Sequence, residues 1–141
     1  MAAMCGPAYG VGFLFTPSDP FFFLDIDGCH DGTNWSELAT TLCSRLPGAA
    51  VEVSQSGNGL HIFGTGGVPD HGCKNVPLGL ELYTEGRIAA LTGTGAYGDA
   101  GHDCTQAITA LAVEYFPPGI TVEPDSWTAG PVPGWNGPKE D

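Results

Sequence analysis

Asp25 and Asp27 stand two residues apart at the end of the apolar run Phe21-Phe22-Phe23-Leu24. Alternate residues of an extended strand share a face, so both carboxylates point the same way. Like charges held that close repel one another, and a divalent cation between them relieves the repulsion. The pattern is therefore read as a Mg²⁺ or Mn²⁺ site. A phosphate-bearing substrate is the usual reason to build one.

Two further groups could do chemistry. In Ser54-Gln55-Ser56-Gly57-Asn58-Gly59-Leu60-His61, the glycines Gly57 and Gly59 let backbone N–H groups approach an anion, and Ser56 can donate a hydroxyl. His61 opens the next strand, sharing a face with Phe63 while Leu60 and Ile62 take the other. Taken alone, this is an ordinary hairpin turn followed by a structural histidine. In Leu80-Glu81-Leu82-Tyr83, alternation puts Glu81 and Tyr83 on one face, and Arg87 and Leu91-Thr92-Gly93 follow. A solvent-facing Glu81 and an Arg87 paired with Glu85 are the plain alternatives. Glu52 is a weaker candidate, sharing a strand face with Ser54.

These residues need elements to position them. Val11 to Phe15 reads as a strand, and Thr16 to Pro20 as a proline-punctuated turn. Phe21 to Asp27 is apolar on both faces, so it reads as a buried, central strand. After a loop at 28–33, Asn34 is placed to cap a helix, with Glu37 completing a capping box. Leu38, Leu42 and Leu46 make its stripe, and Pro47-Gly48 ends it. Ala50 to Gln55 and Leu60 to Phe63 read as a hairpin about Ser56–Gly59. Positions 64–77 form a Gly-rich loop holding Lys74. Leu78 to Tyr83 and Arg87 to Thr92 read as a second hairpin about Glu85-Gly86. Asp103 is placed to cap a second helix, with Gln106 at the capping-box position and Ile108, Leu111, Ala112 and Tyr115 as its stripe. The order ββαββββα predicts an α+β fold: a mostly antiparallel sheet with two helices on one face. The expected domains are an N-terminal segment at 1–10, a catalytic domain at 11–122, and a Pro/Gly-rich acidic tail or linker at 123–141.

Together, in this order, Asp-x-Asp, Ser-Gly-x-Gly-x-His, and Leu-Glu-x-Tyr with Arg and Thr-Gly resemble the archaeo-eukaryotic primase superfamily. The set is most similar to the primase-polymerase (prim-pol) domains of phages and plasmids, over about Gly10 to Phe116. Gly12-Phe13, Ser18-Asp19-Pro20 and Trp35 add to the resemblance. It implies an RRM-like catalytic module that performs template-directed nucleotidyl transfer in DNA replication. It implies that Asp25, Asp27 and Glu81 bind two Mg²⁺ or Mn²⁺ ions. It implies that His61, with Ser56, Gly57 and Gly59 nearby, meets the phosphates of the incoming nucleotide. Arg87, Thr92 and Gly93 would line the nucleotide site, and Lys74 matches loosely as a basic residue near the triphosphate. The implied partners are nucleoside triphosphates, a DNA template and primer, and a helicase or accessory domain in the same or another chain. Ten residues precede Val11, where related domains carry more, so the reading includes an N-terminally shortened domain.

Composition bounds the rest. The 141 residues suit one domain with a modest core. Four Lys+Arg against sixteen Asp+Glu give a net charge of −12. A large basic patch for gripping nucleic acid is therefore excluded within this chain. No apolar run is long enough to span a membrane, and the first residues lack the pattern of a signal peptide. Five irregularly spaced cysteines fit a reducing cytoplasm, bacterial or phage-infected, better than a disulfide framework. Cys29, His30, His71 and Cys73 have spacings unlike those of a common zinc finger. Two other functions use the same residues: a metal-dependent nuclease or phosphodiesterase, with water as nucleophile, and an inactive nucleotide-binding remnant.

Overall fold

The computed structural model describes residues 11–118. The segments expected at 1–10 and 123–141, and the boundary at 122, lie outside the described residues. The elements are β1 (Val11–Phe15), β2 (Phe21–Ile26), α1 (Glu37–Arg45), β3 (Ala50–Val53), β4 (Leu60–Thr65), β5 (Lys74–Asn75), β6 (Leu80–Tyr83), β7 (Arg87–Leu91) and α2 (Thr105–Tyr115). Five strands form an antiparallel sheet in the order β3-β4-β2-β6-β5. The remaining two, β1 and β7, pair with each other as a separate antiparallel ribbon. This is the expected α+β fold, with the acidic strand β2 at the centre of its sheet.

The two faces of β2 divide the core. Phe22, Leu24 and Ile26 face the helices together with Leu60, Ile62, Leu80 and Leu82, and meet Ala39 and Leu42 of α1 and Ile108, Leu111 and Ala112 of α2. Each such large apolar side chain contributes about 1.5–3 kcal/mol by leaving water. Phe23 and Phe63 point the other way and are covered by Phe15 and Ala89 of the ribbon. The rings of Phe15, Phe23 and Phe63 stack with centroids 5.1 to 6.1 Å apart. The helix face is thus fully packed, whereas the ribbon covers only part of the opposite face.

Four local expectations are corrected. β6 and β7 do not form a hairpin: β6 pairs with β2 and β5, and β7 pairs with β1. Leu80 and Leu82 are needed beneath the helices, while Ala89 is needed in the ribbon, packed against Phe23 and Phe63, so the turn between the strands carries the chain from one layer to the other. The loop expected at 64–77 contains the end of β4, the short β5 and a 3₁₀ turn at Val76–Leu78. Ser36, not Asn34, caps α1, accepting from the Ala39 N–H at 3.1 Å. The Asn34 N–H instead donates to Asp31 Oδ1 (2.8 Å), and the Ser36 N–H is held by the Cys29 carbonyl (2.7 Å), which delays the helix start. Cys104 occupies the N-cap of α2, and Asp103 accepts from the Thr105 N–H at 2.9 Å.

Candidate active site

Antiparallel pairing sets directly opposed residues on one face. The register aligns Glu52 with His61, His61 with Asp25, Asp25 with Glu81, and Glu81 with Lys74. A single polar row therefore crosses all five strands. The neighbouring row on that face is apolar: Ala50, Phe63, Phe23 and Tyr83 are aligned in the same way. The ribbon covers the apolar row and leaves the polar row at its border.

Asp27 lies just past the end of β2, and its N–H donates to the Gly79 carbonyl at 2.9 Å. Gly79 adopts φ +69°, and a Cβ there would stand 3.1 Å from the Asp27 carbonyl oxygen. This close approach brings the β6 entry beside the acidic pair. One oxygen each from Asp25, Asp27 and Glu81 lies within 4.8 Å of the others. Asp25 is buried, Asp27 exposed and Glu81 intermediate.

The electrostatics fit a cation. Burial, then the charge of Asp27, push the Asp25 carboxyl up to about 6. Burial and Glu81 raise Asp27 as well. Asp25 Oδ1 is buried and has no hydrogen-bond partner. Such an orphaned oxygen, beside two more carboxylates, is the donor set of a hard divalent cation. The carboxylate cluster can hold a metal ion.

The flanks are built from neighbouring strands. His61 sits between two acids, with Nδ1 2.8 Å from Glu52 Oε2 and Nε2 4.0 Å from Asp25 Oδ1. Its ring meets Phe23 edge-on at 5.1 Å. Glu52 is buried, and its carboxylate also accepts from the N–H groups of Thr92 (3.2 Å) and Gly93 (2.9 Å). On the other side, Tyr83 donates its hydroxyl to Glu81 Oε1 (2.8 Å), and Arg87 Nη2 approaches the same oxygen at 3.5 Å. The Arg87 guanidinium lies over the Tyr83 ring, 4.8 Å from its centre. Burial and the bond to Glu81 push the Tyr83 hydroxyl well up, so it stays a donor. The alternative pairing of Arg87 with Glu85 is corrected: its partner is Glu81, because β7 returns under the sheet.

The remaining sequence candidates have clear positions. Ser56 and Gly57 are exposed on the β3–β4 turn, where the Ser56 hydroxyl accepts from the Asn58 N–H at 3.1 Å. Gly59 is buried against the end of β2, and a Cβ there would meet the Ile26 carbonyl oxygen at 2.8 Å. The turn thus borders the acidic pair. Lys74 is exposed on the edge strand, opposite Glu81. The N–H groups of Thr92 and Gly93 are engaged by Glu52. Among the described residues, Cys29, His30, His71 and Cys73 form no metal-sized group. Cys29, Cys43, Cys73 and Cys104 are free thiols.

Sequence reasoning undervalued Glu52. The signal was present: a hairpin pairing Val53 with Leu60 must also pair Glu52 with His61.

In an alignment 92 residues long that covers 61% of the chain, it is 36% identical to a DNA primase-polymerase of Nitratiruptor phage NrS-1. That stretch spans 13% of the phage protein. No family model matches the chain. The similarity supports a primase-polymerase relationship. Among the described residues, no helix is long and apolar enough to cross a membrane.

Proposed function

We propose that this chain carries the catalytic site of a DNA primase-polymerase, a nucleotidyltransferase acting in phage or plasmid DNA replication. The observation that supports it most is the convergence of Asp25, Asp27 and Glu81 about an orphaned buried oxygen, in a chain similar to a phage enzyme of that name. Phosphoryl transfer needs positioning and charge neutralisation more than a covalent nucleophile. Two Mg²⁺ or Mn²⁺ ions, when bound, would activate the primer 3′-hydroxyl and neutralise the leaving pyrophosphate.

The chain's own residues do the holding. Asp25, Asp27 and Glu81 supply the carboxylates. Tyr83 and Arg87 fix the Glu81 carboxylate, and Arg87 adds a positive charge at the border of the acidic cluster. His61 and the Ser56–Gly59 turn flank the cluster on the β4 side and take the triphosphate of the incoming nucleotide. Lys74 stands on the other side of the cluster, on the edge strand opposite Glu81. Thr92 and Gly93 shape the wall through Glu52, not by offering their N–H groups to phosphate.

The substrates are nucleoside triphosphates and a primed DNA template. With four basic residues, template grip falls largely to a helicase or accessory domain in the same or another chain. Incubation with a primed template, dNTPs and Mn²⁺ tests the reading. Longer products support it. Shorter products identify a nuclease built on the same carboxylates, and nucleotide binding without turnover identifies an inactive remnant.

A further inference from the structure

The three carboxylates of the acidic cluster are held in different ways. Asp25 is buried within β2, and Asp27 is fixed through its backbone N–H on the Gly79 carbonyl. Glu81 is half-buried, and its longer side chain has more rotamer freedom to lose. Among the described residues, it alone of the three receives a hydrogen bond from another side chain: the Tyr83 hydroxyl donates to Oε1 at 2.8 Å. Its Oε2 receives none.

The strand register fixes the directions. β6 sets Glu81 opposite Asp25 and Tyr83 opposite Phe23, while Asp27 is tied to Gly79, just before that strand. Tyr83 and the acidic end of β2 thus lie on opposite sides of Glu81. Drawing Oε1 toward Tyr83 turns Oε2 toward Asp25 and Asp27, with which Glu81 forms a group of ligand oxygens within 4.8 Å of one another.

Tyr83 is itself firmly placed. Its ring packs against the cluster of Phe15, Phe23, Phe63 and Ala89, and the Arg87 guanidinium lies over it, 4.8 Å from its centre. Arg87 Nη2 stands 3.5 Å from Glu81 Oε1, beyond the usual N–H···O range of about 2.7–3.2 Å. Arg87 therefore supplies charge and holds the ring, and Tyr83 supplies the hydrogen bond.

We propose that Tyr83 is the positioning residue of the metal site: by holding Oε1 of Glu81 it commits Oε2 to the cation. Its effect on metal affinity stands apart from the nucleotidyl-transfer reading; its effect on rate rests on that reading. Partners that orient a ligating side chain are typically worth about 10–100-fold in metal affinity.

The decisive variant is Tyr83→Phe. It removes the hydroxyl and keeps the ring, with its contacts to the phenylalanines and to Arg87, so the fold is retained; a thermal scan without metal checks this. Electron paramagnetic resonance of free Mn²⁺ measures affinity directly. Tyr83→Phe should bind Mn²⁺ at least tenfold more weakly than the parent. In a Glu81→Ala background the same substitution should weaken binding no further, because the carboxylate it acts through is gone. Equal affinity in parent and Tyr83→Phe overturns the proposal, as does an undiminished effect in the Glu81→Ala background. In primer extension, the Mn²⁺ concentration for half-maximal rate should rise by the same factor, and the rate at saturating Mn²⁺ should return to near the parent value. A rate that stays low at saturating Mn²⁺ would show that Tyr83 acts on something other than the metal, and also overturns the proposal. A parent protein that binds Mn²⁺ but extends no primer fails the polymerase reading by itself, and the difference in Mn²⁺ affinity then supports or overturns the role of Tyr83. A parent that binds no Mn²⁺ overturns it outright.

Discussion

Asp25 and Glu81 are direct cross-strand partners, held opposite each other by the pairing of β2 with β6. The same register that joins them aligns His61 on the far side of Asp25 and Lys74 on the far side of Glu81. The site is thus a property of strand pairing: slipping β6 by one residue would turn Glu81 into the helix-facing core and Leu80 or Leu82 out of it. Because the helix face is packed with leucine and isoleucine, hydrophobic burial on one side of the sheet fixes the carboxylates on the other.

Burial of Asp25 makes apo stability depend on pH. Its carboxyl is raised from 3.8 to about 6, so the folded state holds this proton more tightly than the unfolded chain. The contribution is fully present below about pH 4 and is lost as pH rises through about 6. Allowing for solvent screening, the loss is on the order of 1–2 kcal/mol. Urea unfolding between about pH 4 and 7.5 without divalent ions should show this decline, and Asp25→Asn should flatten it. Equal slopes in parent and variant would remove Asp25 as the cause.

Divalent ions should reverse that decline. Mn²⁺ at neutral pH binds only the folded arrangement of Asp25, Asp27 and Glu81, so the melting temperature should rise with metal concentration. Asp27→Ala should abolish both the metal-induced rise and primer extension. Without metal it should melt at or above the parent temperature, because Asp27 contributes to raising Asp25. Thermal scans with and without Mn²⁺ check both; a variant that retains full extension would sink the metal assignment.

Some of this was legible in the sequence and some was not. Alternation gave the faces of Asp25, His61, Glu81 and Tyr83, because a period of two is a local property. The β3–β4 hairpin was legible because Gly57 and Gly59 mark a short turn. The partners of β6 and β7 were not, since a Glu85-Gly86 turn looks alike whether its strands pair with each other or enter different layers. The plain alternative for Arg87, a pair with Glu85, fails for that reason: the guanidinium reaches Glu81 instead. Lys74 was assigned to a loop because β5 is a two-residue edge strand, defined by its neighbour more than by its own residues. The caps of α1 and α2 each shifted by one or two positions, where backbone contacts at Cys29 and Thr65 overrode the capping signals.

His61→Ala should affect nucleotide use and stability together. Leu60 and Ile62 supply the core face, so the fold survives. Glu52 loses its imidazole partner but keeps the Thr92 and Gly93 N–H groups. The stability cost should be about 1–3 kcal/mol, typical of a buried acceptor losing one partner. The nucleotide KM should rise about tenfold or more. Steady-state extension kinetics beside urea unfolding separate the effects; a stability loss with unchanged KM would make the histidine structural.

DNA binding by this chain alone should be weak and only slightly salt-dependent. Its basic residues are Arg45, Lys74, Arg87 and Lys139. Arg45 is engaged by Glu114 at 2.7 Å, and Arg87 lies against Glu81. Each phosphate neutralised contributes about 0.9 to the slope of log affinity against log salt. With Arg45 and Arg87 committed to carboxylates, the slope should stay below about 2 in magnitude for duplex DNA. The acidic surface, at a net charge of −12, opposes binding further by long-range repulsion. Fluorescence anisotropy with a labelled primer–template between low and physiological salt measures the slope. A steep slope would mean that this chain forms a basic surface its composition does not provide. A shallow slope, with tighter binding once a basic accessory domain is supplied, would place the DNA grip outside this sheet.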